Sequence, residues 1–252
     1  MLKACLRYIL QTAQEEPRLH ATFNRTVAAG RYLEGREGLL IDIGARDGVY
    51  TAQLLESVTA SNRTTPFGDW RPVLVEISQE YLARARQRFG CVRANVERSG
   101  LPFESRSASC VVINQVLEHL KDPFQVLAEC DRVLKVGGIF LIGVPNLAGL
   151  VNRLYLLAGK QPAAINLPGP HVRGYTLRSL RAYLKTNPNF VLRRVFGSCL
   201  YPLPPFLSEP LAVRWPGLAC YMFFVLEKVA DAQPSAWEAG RHATGETTLG
   251  GG

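Results

Sequence analysis

Several things are scarce in this sequence, and each scarcity removes a class of protein. No apolar run reaches the roughly 18 residues that cross a bilayer. The longest late one, 217–226, reads as a buried strand. The N-terminus shows no long apolar core followed by small residues, so a secretory signal is not expected. None of the six cysteines stand as a CxxC pair, so no zinc cluster is indicated. Cys110 and Cys130 fall on predicted core faces, where cysteine behaves as a small hydrophobe. A reduced cytoplasmic compartment is the expectation. There is no internal repeat, and only four histidines: His20, His119, His171 and His242.

What is present suits one full α/β domain with additions. The 252 residues are 47% hydrophobic and 20% charged, and the net charge is +8. A basic balance favours acidic partners such as phosphate groups or an anionic membrane surface. Arginines gather at 84–98 and again at 173–194. Arg84, Arg86 and Arg88 spread around a helix and read as a solvated face. No stripe of interleaved aromatics and arginines appears, so nucleic acid is not the expected partner.

The chain is organised around 39–48, Leu-Leu-Ile-Asp-Ile-Gly-Ala-Arg-Asp-Gly. Five apolar-rich residues suit a strand buried on both faces, an acid sits among glycines, and a helical pattern follows. Ahead of it, 2–15 and about 20–33 read as N-terminal helices, giving a helical cap over 1–36. A Gly- and Pro-marked polar loop covers 61–72. A second strand, 73–77, contains Glu76 near its end, and Ser78 caps the next helix. A short strand at 91–94 precedes Asn95. A fourth buried strand runs 110–114. Asp122-Pro123-Phe124-Gln125 is a helix start, with an N-cap acid and proline at the first position. Gly137-Gly138 is expected to stop that helix, and 139–144 is a fifth strand.

Strand and helix therefore alternate from 39 to 145, which predicts a doubly wound, mostly parallel, Rossmann-like sheet of seven strands once 190–196 and 218–226 are added. Ligands of such sheets bind at the carboxyl ends of the strands. Asp42, Gly44, Glu76, Asn95, Asn114 and Pro145 all lie there. Residues 37–229 form the domain, with 146–216 as its substrate or lid region, containing a proline-rich loop at 201–207. A tail from 230 to 252 is expected to be disordered.

Five stretches carry a family likeness: Leu40-Ile41-Asp42-Ile43-Gly44, Val75-Glu76-Ile77, Leu101-Pro102-Phe103, 114–120 (Asn-Gln-Val-Leu-Glu-His-Leu) and 134–138 (Leu-Lys-Val-Gly-Gly). In order and spacing they resemble the class I S-adenosylmethionine-dependent methyltransferases, with the nearest look to the small-molecule branch of ubiquinone-type O-methyltransferases. The resemblance implies S-adenosylmethionine as cofactor. Gly44 and Gly48 would bring backbone amides to its amino acid end, and Asp42 would orient that end. Glu76 would accept the ribose hydroxyls, Asn95 would bond the adenine edge, and Ile77 and Val96 would sandwich the ring. Asn114 and Gln115 would line the methionine portion. Arg46 replaces the second glycine of the usual GxGxG, and either points outward or binds the cofactor carboxylate.

The implied reaction is methyl transfer, with O-methylation of a small, lipid-linked or glycan-like acceptor as the expectation. A hydroxyl acceptor must lose its proton, and His119 and His171 are the candidate bases. Some relatives, including small-RNA 2′-O-methyltransferases, hold Mg²⁺ with Glu-x-x-Glu-His and a later histidine. The matching positions here are Gln115, Glu118, His119 and His171; the glutamine weakens a hard-cation site, so no metal is assigned and Mg²⁺ stays the variant reading. A catalytically inactive binding or regulatory protein on the same fold is the alternative function. A dehydrogenase is disfavoured, because its GxGxxG would need glycine where Arg46 and Val49 stand. Peripheral membrane contact is compatible with the composition, and the oligomeric state is not read from the sequence.

Overall fold

The computed structural model describes residues 29–58 and 67–238. The helix expected at 2–15, most of that at 20–33, part of the polar loop and the end of the tail lie outside them. The elements are β1 (Gly38–Ile43), α1 (Val49–Val58), β2 (Trp70–Glu76), α2 (Gln79–Ala85), β3 (Gly90–Arg93), α3 (Val96–Ser99), β4 (Ala108–Asn114), α4 (Pro123–Val133), β5 (Leu134–Pro145), α5 (Leu150–Leu157), α6 (Leu177–Leu184), β6 (Phe190–Ser198), α7 (Pro205–Arg214) and β7 (Tyr221–Lys228). They build one seven-stranded sheet in the order β3-β2-β1-β4-β5-β7-β6. The first five strands pair in parallel, and β7 runs antiparallel to both β5 and β6.

Side chains of successive strand residues point to opposite faces, and here both faces are covered. Ile41, Val111, Ile113, Phe140 and Ile142 pack on one side with Val126, Leu127, Leu180 and Leu184, which come from α4 and α6. Leu40, Cys110, Val112, Ile139 and Leu141 pack on the other with Ala52, Leu54 and Leu55 of α1. Burial on both faces is why these strands read as unbroken apolar runs.

Helix starts follow the sequence. Ser78 accepts from the Tyr81 amide, and Asp122 accepts from the Gln125 amide with Pro123 in the first turn. Thr176 and Ser179 form a reciprocal capping box at α6.

Four expectations need correction. The loop at 61–72 is too long, because β2 begins at Trp70, and Phe67 is already buried and stacked on Phe89 at 5.2 Å. Helix α4 ends at Val133, four residues before Gly137, since Leu134 already pairs with Ala108 of β4. The proline-rich 201–207 stretch is only partly loop: Pro205 opens α7, as proline's fixed φ suits a first turn. The tail does not come free at 230. Trp237 is fully buried, stacked 4.8 Å from Phe190, and Asn189 holds Ala232 through two hydrogen bonds. An apolar ring of that size outweighs the polar composition around it. Among the described residues no helix is long and apolar enough to cross a membrane.

Candidate functional site

The order of strands reverses beside β1 and β4, which opens a crevice at their carboxyl ends. Most of the sequence-predicted site residues belong to the turns that leave this rim.

The turn after β1 is shaped by steric demands. Gly44 and Gly48 have φ of +68° and +78°. A Cβ at Gly44 would collide with Val116, and one at Gly48 with Phe89 and Leu74. Their amides are already committed, Gly44 to the Val75 carbonyl at 2.7 Å and Gly48 to Ala45 at 3.0 Å. The glycines thus serve the turn, and the cofactor-facing amides expected of them are engaged within the protein. Asp42 is 2% exposed and accepts from the Thr51 hydroxyl at 2.5 Å. Burial pushes its carboxyl up to about 7, the Thr51 hydrogen bond opposes this, and the Glu76 charge adds to it.

Arg46 sits in the left-handed region at φ +55°. Its amide donates to Glu76 Oε2 at 3.0 Å, while its guanidinium lies 5.3 Å over the Tyr81 ring. The departure from glycine therefore keeps the backbone contact that glycine would make and parks the cation on an aromatic face.

Glu76, at the end of β2, is a hub of amides. Oε1 accepts from Ile77 at 2.8 Å and Ser78 at 3.0 Å, and Oε2 from Arg46. Two lone pairs per oxygen leave one open position, on Oε2. Ile77 beside it is 57% exposed, a large apolar side chain open at the rim. Asn95 caps α3 with its Oδ1, accepting from the Glu97 amide at 3.2 Å, which leaves its NH₂ as a donor. Val96 is buried under that turn.

At the end of β4 two polar atoms are stranded. Asn114 Oδ1 and Gln115 Nε2 are buried with no hydrogen-bond partner. Gln115 also has φ of +57°, pinned by its amide to the Gly143 carbonyl at 2.8 Å. A neighbouring acceptor and donor, both unmatched, is uncommon in a folded interior and calls for a ligand or water.

The same holds more strongly for Glu118, His119 and His171. A single turn, Leu117–His119, carries the first two. The 170–175 segment clamps onto it: the amides of Val172 and Arg173 donate to the Glu118 carbonyl, and the Tyr175 hydroxyl to that of Leu117. Glu118 is 1% exposed, and neither carboxylate oxygen has a hydrogen-bond partner. His119 Nδ1 meets the Pro170 carbonyl at 3.3 Å, and His171 Nδ1 the Ala164 carbonyl at 2.8 Å. A carbonyl only accepts, so each Nδ1 carries a proton, and in its neutral form each ring presents a bare Nε2. Those nitrogens stand 3.9 and 4.0 Å from Glu118 Oε1. Burial pushes Glu118 up to about 7, and the nearness of its own backbone amide works against this. Burial also lowers His119; the Pro170 contact opposes this, and the His171 and Arg46 charges add to it. Three lone-pair donors within 4.8 Å of one another need a shared proton or a cation between them.

The structure thus gathers the two histidines with Glu118, and separately assembles the acids, Asn95 and Asn114–Gln115 on the strand ends. Sequence reasoning missed Thr51, Tyr81, Val116 and Tyr175. Their roles depend on distance in space; Val116 alone stood inside a quoted stretch, 114–120, where no role was given to it. A cavity of about 610 Å³ opens between α5 and α6, lined by Arg153, Arg178, Arg181 and Lys185.

Residues 41–142 match a family model described as a methyltransferase domain. The chain is 33% identical over 119 residues to an uncharacterized 37.1 kDa protein in a transposon of Streptomyces fradiae, over 45% of this chain and 32% of that one. It is 35% identical over 79 residues to a probable S-adenosylmethionine-dependent methyltransferase of Mycolicibacterium smegmatis, over 30% of each. The matches span about a third of the length of these curated relatives. A solved SAM-dependent methyltransferase of Thermotoga maritima superposes with TM-score 0.58 at 18% identity, covering 86% of this chain and 95% of that one. At that identity the superposition shows the fold, and it agrees with the mostly parallel seven-stranded sheet.

Proposed function

We propose that the chain is an S-adenosylmethionine-dependent methyltransferase that O-methylates a small, lipid-linked or glycan-like acceptor. The observation that carries this reading is the set of unmatched polar atoms on one crevice, Asn114 Oδ1, Gln115 Nε2 and both Glu118 oxygens, inside a segment matched to a methyltransferase domain. Bound S-adenosylmethionine supplies a sulfonium methyl already activated for in-line displacement. The open position on Glu76 Oε2 can accept one ribose hydroxyl; taking both requires one amide to be released. The Asn95 NH₂ suits a ring nitrogen of the adenine, with Ile77 as platform. Asn114 Oδ1 can accept from an ammonium, and Gln115 Nε2 can donate to a carboxylate. Holding donor and acceptor in line is the main contribution of such a site.

At the other end of the crevice His119 or His171 would take the acceptor's hydroxyl proton at Nε2. Glu118 faces the same atom and steadies the imidazolium that forms. Titration calorimetry tests the cofactor half. Absence of S-adenosylmethionine binding at millimolar concentration would sink the enzyme reading, and binding without turnover on any acceptor class would favour the inactive, regulatory alternative.

A second reading has its own support: Glu118, His119 and His171 hold a divalent cation, Mg²⁺ or a softer ion. The two bare Nε2 atoms and the unpartnered carboxylate fit such a group, since imidazole nitrogens favour borderline metals and the carboxylate any of them. The ion would supply Lewis acidity at the acceptor oxygen. Rates unchanged by EDTA, together with no calorimetric signal for Mg²⁺ or Mn²⁺, would exclude it.

A further inference from the structure

The charge of this chain is unevenly placed. Residues 146–217 hold nine lysines and arginines against Glu209 alone, a net +8 that equals the net charge of the whole chain. All the remaining residues balance.

The exposed apolar residues sit in the same segment. Every exposed leucine, phenylalanine and tryptophan among the described residues lies between 154 and 215. Leu157 is 85% exposed and Phe206 76%. These side chains are continuous with a buried root. Leu150 of α5 and Leu211 of α7 pack against the same small cluster of Leu200, Ala212 and Ala219. From that root Leu154 and Leu157 continue the Leu150 face of α5 at helical spacing, and Leu207 continues the Leu211 face of α7. Beside α5 opens the 610 Å³ groove, and Arg178, Arg181 and Lys185 follow one another along one face of α6 there. None of these three makes an ion pair with a described residue.

From this pairing we propose that the 146–217 face docks on an anionic lipid membrane surface. Exposed apolar side chains and cations without ion-pair partners in one segment are what an interfacial surface requires: the leucines, Phe206 and Trp215 would enter the acyl boundary while Arg178, Arg181 and Lys185 meet lipid phosphates. A protein partner or a nucleic acid would match one half of the surface only, since the segment offers Glu209 as its single acid for the first and no interleaved aromatics and arginines for the second. The proposal is independent of the methyl-transfer reading and is tested without cofactor.

The experiment is co-sedimentation of the full chain with vesicles of phosphatidylcholine containing about one-third phosphatidylglycerol, and with phosphatidylcholine alone. Strong binding to the first, little to the second, and weakening by salt are expected. The Arg178→Glu/Arg181→Glu variant should lose at least tenfold in partition. Leu154→Ser/Leu157→Ser should lose severalfold even at low salt, where a purely ionic contact would be unaffected. Unchanged circular dichroism and urea midpoints in both variants keep folding out of the answer. No sedimentation with anionic vesicles overturns the proposal. So does equal affinity for heparin or RNA with no effect of the leucine changes, which would mark a polyanion site.

Discussion

Two clusters of charge are buried in this fold, and they differ in completeness. At the amino end of the parallel strands, Lys228 and Asp131 are wholly enclosed and 3.1 Å apart. Lys228 also donates to the carbonyls of Asp131 and Leu134 and to Asp231, while Asn187 and Asn189 both donate to Asp131 Oδ2. At the carboxyl end, Glu118 is as deeply buried, yet neither of its oxygens is bonded and its two neighbours present lone pairs. The first cluster is closed in charge: every charge has its counter-charge inside the chain, although Asp131 Oδ1 meets Lys228 as an ion pair without a hydrogen bond. The second is open, and the missing cation must come from outside as a proton or an ion. A buried charge left alone costs several kcal/mol, so an open cluster is kept only where something else occupies or uses it.

The contrast can be broken hardest at Lys228. Lys228→Met strands Asp131 and should cost about 3–5 kcal/mol of folding stability by urea denaturation. Glu118→Gln should move the other way. It removes a charge without a partner, so stability stays level or rises, while turnover falls about a hundredfold because the histidine base loses the group that steadies it. A large loss of stability in Glu118→Gln would show that the open cluster is in fact closed.

The pH dependence should carry opposite signs at the two ends. Glu118 and Asp42 are both held up at about 7, so the folded state keeps protons that the unfolded state has released. Their stabilising effect is complete below the ordinary carboxylate range and is lost as pH rises from about 4 to 7. Asp231 is lowered: burial pushes it up, but hydrogen bonds from Lys228, Arg106 and Gln233 prevail. Its contribution is present above the ordinary aspartate range and lost as pH falls. Denaturation midpoints between pH 4 and 7.5 should therefore decline upward, with a shallower decline in Glu118→Gln.

Smaller effects sharpen the picture at the rim. Glu76→Gln loses a charge that collects three amides and should weaken S-adenosylmethionine binding by tenfold or more, read by calorimetry. Arg46→Gly keeps the amide that reaches Glu76 and loses only the stacking on Tyr81. Its cofactor affinity should stay within about twofold of the parent; a large loss would make the guanidinium a cofactor contact.

How much of this was legible in the sequence follows from the range of the forces. The β1-to-β5 alternation was readable because burial on both faces leaves long apolar runs, and caps such as Asp122-Pro123 act within one turn. His119 and His171 could be singled out by family likeness. The same likeness grouped them with Glu118, but that Glu118 is left without a hydrogen-bond partner while the Pro170 and Ala164 carbonyls fix the two rings is visible only in the fold. The place where the tail begins was misread for the same reason: Trp237 is a single apolar residue in a polar stretch, and only the fold supplies the pocket formed by Phe140 and Phe190.

Arg46 and Gln115 are two of only four non-glycine residues in the left-handed region among those described, and both stand where a strand reaches the crevice. Holding an ordinary side chain there costs about 1–2 kcal/mol. A laboratory selection for heat resistance alone would thus find glycine at these two positions early. At Gln115 the gain would be taken from the crevice itself, because its Nε2 is one of the unmatched atoms there, whereas at Arg46 it would leave ligand handling nearly untouched.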